Sequence, residues 1–207
     1  MTSKELTRIA LSTALIAVGS FITIPLGPVP FTLQTLFVIL AGLYLKPAHA
    51  ALSTFLYMII GLIGVPIFAG FSGGPQSLAS PTFGFIISFI PMAYIISKMA
   101  HGSMDNKKII SGIIVGVIVS YLIGLIYLKY GLTKLNGVEV PMKEVLSLGF
   151  IPFIIPDAAK ILVAIIVYKR TYKYVDDSNN KIESTSYESN TTAVSYTHLT
   201  LPTSDLV

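Results

Sequence analysis

Six long apolar runs, each bounded by charged residues or by clusters of Pro and Gly, occupy most of residues 1–170. They fall at residues 6–24, 32–45, 48–63, 82–99, 109–130 and 150–168. About 20 helical residues cross a bilayer core, and a backbone in hydrocarbon must satisfy its own hydrogen bonds. The pattern therefore predicts an all-α, polytopic membrane protein with six transmembrane helices. Charged residues make up 12% of the 207, against about 25% in a soluble domain, which excludes an ordinary soluble enzyme. The first run opens with Lys4 and Arg8 and carries no Ala-x-Ala site, so it reads as a retained helix and not as a signal peptide.

Lys and Arg concentrate on the cytoplasmic side of membrane proteins. With the N-terminus inside, Lys4, Arg8, Lys46, Lys98, Lys107, Lys108, Lys169, Arg170 and Lys173 fall on that side, and only Lys129, Lys134 and Lys143 fall outside. Both termini are expected to be cytoplasmic. In a chain this apolar, the net charge of +4 marks membrane edges and the lipid bilayer as partner, not nucleic acid. The membrane domain is expected over residues 1–174, followed by a disordered polar tail over 175–207, whose composition buries too little apolar surface to order itself. Residues 195–203 within that tail read as vector or sequencing read-through.

Two stretches interrupt the helical pattern. Residues 25–30 hold three prolines and a glycine and cannot be regular helix, so the second run is short for a span. Residues 64–81 are rich in Gly, Pro and Ser and carry no charge; a loop of this kind suits a lid or binding loop. In a sequential topology both lie on the outer face.

Once the loop charges are set aside, the runs retain two ionisable residues, Asp157 and Lys160. Each is costly in hydrocarbon, and their i, i+3 spacing lets them pair. Such residues mark a ligand site or, alternatively, a self-neutralised pair that holds helices together. Gln34 offers an amide with donors and an acceptor, for a ligand or for a neighbouring helix. Phe31, Phe68, Phe71, Phe83 and Phe85 cluster on or beside the two irregular stretches, where they can wall an apolar ligand. Tyr44, Tyr94, Tyr130 and Tyr168 read as interfacial anchors. Ala10 and Ala14 make a small-x-x-x-small face on the first helix, suited to close approach by another helix.

Several chemistries are missing from the sequence. There is no cysteine, hence no thiol catalysis or disulfide. There is no nucleotide-binding Gly-x-x-x-x-Gly-Lys-Ser/Thr loop. Gly70-Phe71-Ser72-Gly73-Gly74 fits a Gly-x-Ser-x-Gly pattern, which raises an intramembrane serine hydrolase as an alternative. A serine nucleophile needs a base, however, and His49 and His101 are expected at the opposite face, with His198 in the tail. The chain is read as not an enzyme.

Pro28-Val29-Pro30-Phe31-Thr32-Leu33-Gln34-Thr35, Gly64-Val65-Pro66-Ile67-Phe68-Ala69-Gly70 with Gly73-Gly74, and Pro81-Thr82-Phe83-Gly84-Phe85 resemble the BioY family. These are biotin-specific substrate-binding (S) components of energy-coupling factor (ECF) vitamin transporters. Asp157-Ala158-Ala159-Lys160 matches that family's Asp-x-x-Lys. Phe85 stands where the family usually has Tyr, Ser80 where Gly is frequent, and Pro156 where Gly is more usual. The resemblance implies a biotin site near the outer face of the plasma membrane, with biotin as transported ligand and no cofactor or metal. It also implies a transmembrane coupling subunit and two ATPase subunits as partners, docking at Ala10 and Ala14. The candidate ligand residues are Asp157, Lys160, Gln34, Phe31, Thr32, Thr35, Phe68, Gly74, Ser80, Thr82 and Phe85. An S component for a different vitamin is the nearest alternative.

Overall fold

The computed structural model describes residues 1–25, 29–137 and 139–172. It divides into two units, Met1–Tyr168 and Lys169–Val207. The first helix, α1 (Ser3–Phe21), opens with a capping box in which Thr2 and Glu5 satisfy each other's backbone N–H groups. Its buried stripe, Ile9, Thr13, Ile16 and Ser20, follows helical periodicity. Ala10, Ala14 and Val18 on the opposite side are exposed. Thr13 Oγ1 lies between the carbonyls of Ile9 (2.9 Å) and Ser53 (3.0 Å), tying α1 to α3.

A two-residue antiparallel ladder, β1 (Thr23–Ile24) with β2 (Phe31–Thr32), closes the first irregular stretch, pairing Thr23 with Thr32 and Ile24 with Phe31. The sequence offers no strand pattern here; the ladder forms because prolines have removed helix as an option. Leu26, Gly27 and Pro28 lie outside the described residues. Helix α2 (Gln34–Tyr44) has 11 residues, about 16 Å of rise, so the second run is shorter still than its apolar length. Helix α3 (Pro47–Leu62) begins with Pro in its first turn, where the missing N–H costs nothing.

Helices α4 (Phe83–Ala100) and α5 (Asn106–Asn136) pack against each other through small residues. A Cβ on Gly116 would lie 2.6 Å from Ile96 Cγ1, and one on Gly124 would lie 2.4 Å from Phe85 Cδ1. Such glycines let membrane helices approach closely, and the Ser88 and Ser120 hydroxyls meet at 2.7 Å across the same contact. With 31 residues, about 46 Å, α5 overshoots its expected end at Tyr130 and stops at Gly137, whose φ of 66° suits glycine.

A short helix, α6 (Met142–Gly149), was not anticipated. Val145 on its inner face joins Val29, Leu125, Leu128, Leu132, Val140 and Phe153 in an apolar cluster. Residues 154–168 then form α7. Lys169–Tyr172 of the second unit are also helical, and the tail expected over 175–207 lies outside the described residues.

Among the described residues, three stretches are long and apolar enough to cross a membrane: Phe83–Ala100, Asn106–Leu135 and Met142–Tyr172. Helices α2 and α3 are shorter apolar helices, and α1 carries Lys4, Glu5 and Arg8 in its first two turns. Two of the four tyrosines expected as anchors pack against each other. Tyr168 is fully buried, and Tyr44 packs on it edge-on at 5.1 Å, so the pair fills the interior where its rings find apolar neighbours. Tyr94 and Tyr130 are exposed, as anchors should be.

Candidate ligand-binding site

The start of α7 carries both buried charges. Pro152 and Pro156 confine the chain to a short 3-10 turn, Ile151–Phe153, before the regular helix, and the first turns of α7 then place Asp157 and Lys160 on its inner face. Lys160 Nζ lies 2.7 Å from Asp157 Oδ1, with side chains 6% and 13% exposed. Two ions this buried need additional hydrogen bonds to be tolerated. Tyr121, midway along α5, donates its hydroxyl to Asp157 Oδ2, and the ammonium sits 4.2 Å from the centre of the Phe31 ring, a cation–π contact.

The pair faces a cavity of about 100 Å³. Thr32, Gln34 and Thr35 enter it from β2 and the start of α2, Thr82 and Phe85 from the start of α4, and Tyr121 and Ser120 from α5; Phe89, Met92 and Phe153 complete its apolar surface. A second, more open cavity of about 600 Å³ lies under the 64–81 loop and carries no charged side chain. Pro30, Ala69, Thr82 and Ile86 border both spaces, so the outer one is the vestibule of the inner.

Gln34 is wired to that loop. Thr32 Oγ1 donates to Gln34 Oε1 (3.0 Å), and Gln34 Nε2 donates to the hydroxyl of the fully buried Tyr57. Tyr57 in turn donates to the Ile67 carbonyl (3.1 Å), which also accepts the Ser20 hydroxyl (2.5 Å). Among the described residues no buried side-chain nitrogen or oxygen lacks a partner. The site is preorganised without ligand.

The structure thus brings Asp157, Lys160, Gln34, Thr32, Thr35, Thr82 and Phe85 to one cavity. Phe31 lies beneath Lys160 and does not line it. Phe68 and Ser80 line the vestibule, and Ser80 Oγ meets Thr82 Oγ1 at 2.9 Å. Gly74 lines neither space; with φ of 90° it turns the loop and donates its N–H to Gly61 O (2.7 Å). Tyr121 was missed, although a phenol in mid-span needs a polar partner and so advertises one. Ser72 is exposed and its hydroxyl donates to Ala69 O (2.9 Å). His49 is in the first turn of α3, at the far end from Ser72, and His101 Nδ1 lies 3.3 Å from Leu43 O at that same end. Among the described residues neither histidine is placed to serve Ser72 as a base; His198 lies outside them.

Fold and site together define a helical protein with long apolar helices and an internal cavity lined by a buried ion pair and several polar side chains. Residues 1–177 match the BioY family. The chain is 41% identical over 170 residues to the "Probable biotin transporter BioY" of Pyrococcus horikoshii, covering 82% of this chain and 97% of that protein. It is 36% identical to the "Biotin transporter BioY" of Thermotoga maritima, covering 82% and 96%. Its fold resembles the crystal structure of the S-component for biotin from an ECF-type ABC transporter, with TM-score 0.71 and 27% identity over 84% of this chain and 95% of that one. A second bacterial ECF S component shares the fold at TM-score 0.61 and 20% identity. This chain belongs to the BioY family.

Proposed function

We propose that this protein is the biotin-binding membrane subunit of an ATP-driven vitamin uptake transporter. It takes biotin at the outer face of the plasma membrane and delivers it with a transmembrane coupling subunit and two ATPases. Six spans, α1 to α5 and α7, follow from the apolar runs of the sequence, and cytoplasmic termini from its Lys and Arg distribution; the β1–β2 ladder supplies depth that α2 lacks. The ligand site then lies in the outer half.

The observation that carries this reading is the donor and acceptor inventory at Asp157 and Lys160. A carboxylate offers about four lone-pair sites; Lys160 and Tyr121 use one on each oxygen, which leaves one per oxygen. Lys160 retains N–H groups beyond the one facing Asp157. An acceptor beside a donor complements one N–H and the carbonyl that lie side by side on one edge of biotin's cyclic urea; the second N–H points away to the other side of the carbonyl. The inner cavity lies well below the ~300 Å³ at which ligand pockets begin, so the ureido end enters it and the valerate lies in the vestibule among Gln76, Ser77, Ser80 and Thr82.

Calorimetry on the purified protein tests this directly. Biotin and desthiobiotin, which share the cyclic urea, are expected to bind tightly, and thiamin and riboflavin not at all. Biotin methyl ester should lose at most about tenfold, whereas 2-iminobiotin, which presents a cation to Lys160, should lose at least about a hundredfold, near 2.8 kcal/mol. Tight binding of thiamin or riboflavin would assign the protein to another vitamin. The reverse order for the two biotin derivatives would turn the ligand end for end.

A further inference from the structure

Tyr121 stands where three things meet. Its hydroxyl donates to Asp157 Oδ2. Its ring is held edge-on between Phe85 (6.2 Å, 87°) and Phe150 (4.9 Å, 88°). It also borders two spaces at once, the polar inner cavity and a separate groove between α5 and α7 walled by Ile118, Leu122, Leu125, Leu146 and Ile154. Val117 and Asp157 also border both spaces, and of the three only Asp157 bears a charge. The Tyr121–Asp157 pair is therefore the polar part of the partition between the inner cavity and an apolar groove.

A carboxylate in that partition has two faces available. Lys160 restrains Oδ1 from the same helix, one turn away, which leaves rotation about the Cβ–Cγ bond open. The Tyr121 hydroxyl, arriving from α5, restrains Oδ2 and stops that rotation. With both oxygens tethered from two helices, the free lone pairs keep one orientation before any ligand arrives. Fixing a recognition group in advance spares the ligand the cost of ordering it.

We propose that Tyr121 is a positioning residue for ligand selection: its hydroxyl fixes the Asp157 carboxylate so that a remaining lone pair faces the cavity beside the Lys160 ammonium, where it meets a ligand's N–H group. This rests on the cyclic-urea reading of the cavity. Packing is a separate contribution, supplied by the ring.

Tyr121→Phe separates the two, since it keeps the ring between Phe85 and Phe150 and removes only the hydroxyl. The variant is expected to fold, to melt only a few degrees below wild type because one hydrogen bond is lost, and to bind biotin at least tenfold more weakly. In an Asp157→Asn background, the same change is expected to alter biotin affinity less than twofold, because the group it acts through is gone. Infrared spectra of the ligand-free protein in bilayers give a readout independent of affinity: the carboxylate stretch lost in Asp157→Asn should shift in Tyr121→Phe.

Tyr121→Phe with affinity within twofold of wild type and an unmoved carboxylate band would overturn the proposal while leaving the site reading intact. Equal losses in both backgrounds would overturn it too, assigning the tyrosine to packing. Wild-type affinity in Asp157→Asn would instead sink the cyclic-urea reading, and this inference with it.

Discussion

Neutralising the Asp157–Lys160 pair as a unit separates holding the bundle together from recognising a ligand. Lys160→Met removes an ammonium that is 6% exposed and leaves a carboxylate that is 13% exposed. Breaking a buried pair from one side typically costs about 3–5 kcal/mol. Here the Tyr121 hydroxyl stays on Oδ2 and the carboxylate borders a cavity; a retained hydrogen bond offsets about 1 kcal/mol of that, so about 2–4 kcal/mol of destabilisation is expected. Asp157→Asn should cost about as much, since it strands the ammonium. The double variant strands nothing, and its stability should return to within about 1 kcal/mol of wild type, because replacing both members of a buried pair is close to neutral.

Binding should not return with it. Losing charge-assisted hydrogen bonds at both residues removes at least about 3 kcal/mol, more than a hundredfold in Kd. Thermal unfolding without biotin, paired with calorimetry, reads both quantities on the same preparations. Unfolding repeated at biotin a thousandfold above the wild-type Kd adds a third reading: wild type gains about 4 kcal/mol and the double variant at most about 1 kcal/mol. A double variant that is stable and binds biotin within tenfold of wild type would refute the site. It would return the pair to its alternative role as a helix clasp.

Three further outcomes are expected. Ala14→Trp should abolish ATP-driven biotin uptake in vesicles holding the full transporter, while calorimetry on the isolated protein shows unchanged affinity; uptake at the wild-type rate would remove Ala10 and Ala14 as the docking face. Ser72→Ala should leave biotin binding within twofold, and saturating biotin should protect the 64–81 loop from external protease; equal cleavage with and without biotin would make the loop a plain connector. The Thr2 backbone N–H, and then Lys46, hold the Glu5 carboxyl at about 2 instead of 4.5. A depressed folded-state pKa means the stabilisation is present above pH 4.5 and disappears as pH falls toward 2. The gap in melting temperature between wild type and Glu5→Gln should close over that window, and a constant gap would show that Glu5 titrates normally.

What the sequence made legible follows from how strongly each feature contrasts with hydrocarbon. Helix α4 runs over Phe83–Ala100 against an expected 82–99, and α3 over Pro47–Leu62 against 48–63, because proline, lysine and histidine sharply bound an apolar run. Asp157 and Lys160 stood out as charges within such a run. Helix α5 was cut short at Tyr130 because Lys129 and Lys134 look like a membrane edge, whereas the helix continues beyond it to Asn136. Helix α6 escaped because its eight residues include Lys143 and Glu144, and an apolar face of Val145 and Leu148 is too short to stand out as an apolar run. The β1–β2 ladder is two residues long, below any period that alternation can reveal. Tyr121 was hidden for a different reason: a phenol is apolar enough to pass as core, and only its partner across two helices discloses its hydroxyl's role.

The placement of contacts along α1 bears on how docking and ligand release are joined. Its middle presents the exposed Ala10 and Ala14. Its last turn is committed to the irregular stretches: Gly19 O accepts the Leu33 N–H (3.0 Å), Ser20 donates to Ile67 O, and Phe21 stacks on Phe71 at 4.7 Å and 16°. Phe71 holds a φ of 56°, uncommon for a bulky residue and sustained only where surrounding contacts enforce it. Ile67 O also takes the hydroxyl of Tyr57, which holds Gln34 at the cavity. If a coupling subunit docks at Ala10 and Ala14, any tilt it imposes on α1 is delivered to the loop root and to Gln34 through these bonds. Docking can release biotin only insofar as the partner binds the loop-open arrangement more tightly than the closed one. A hundredfold preference supplies about 2.7 kcal/mol, comparable to two buried hydrogen bonds, so parting Ser20 and Tyr57 from Ile67 lies within what one docking event can drive.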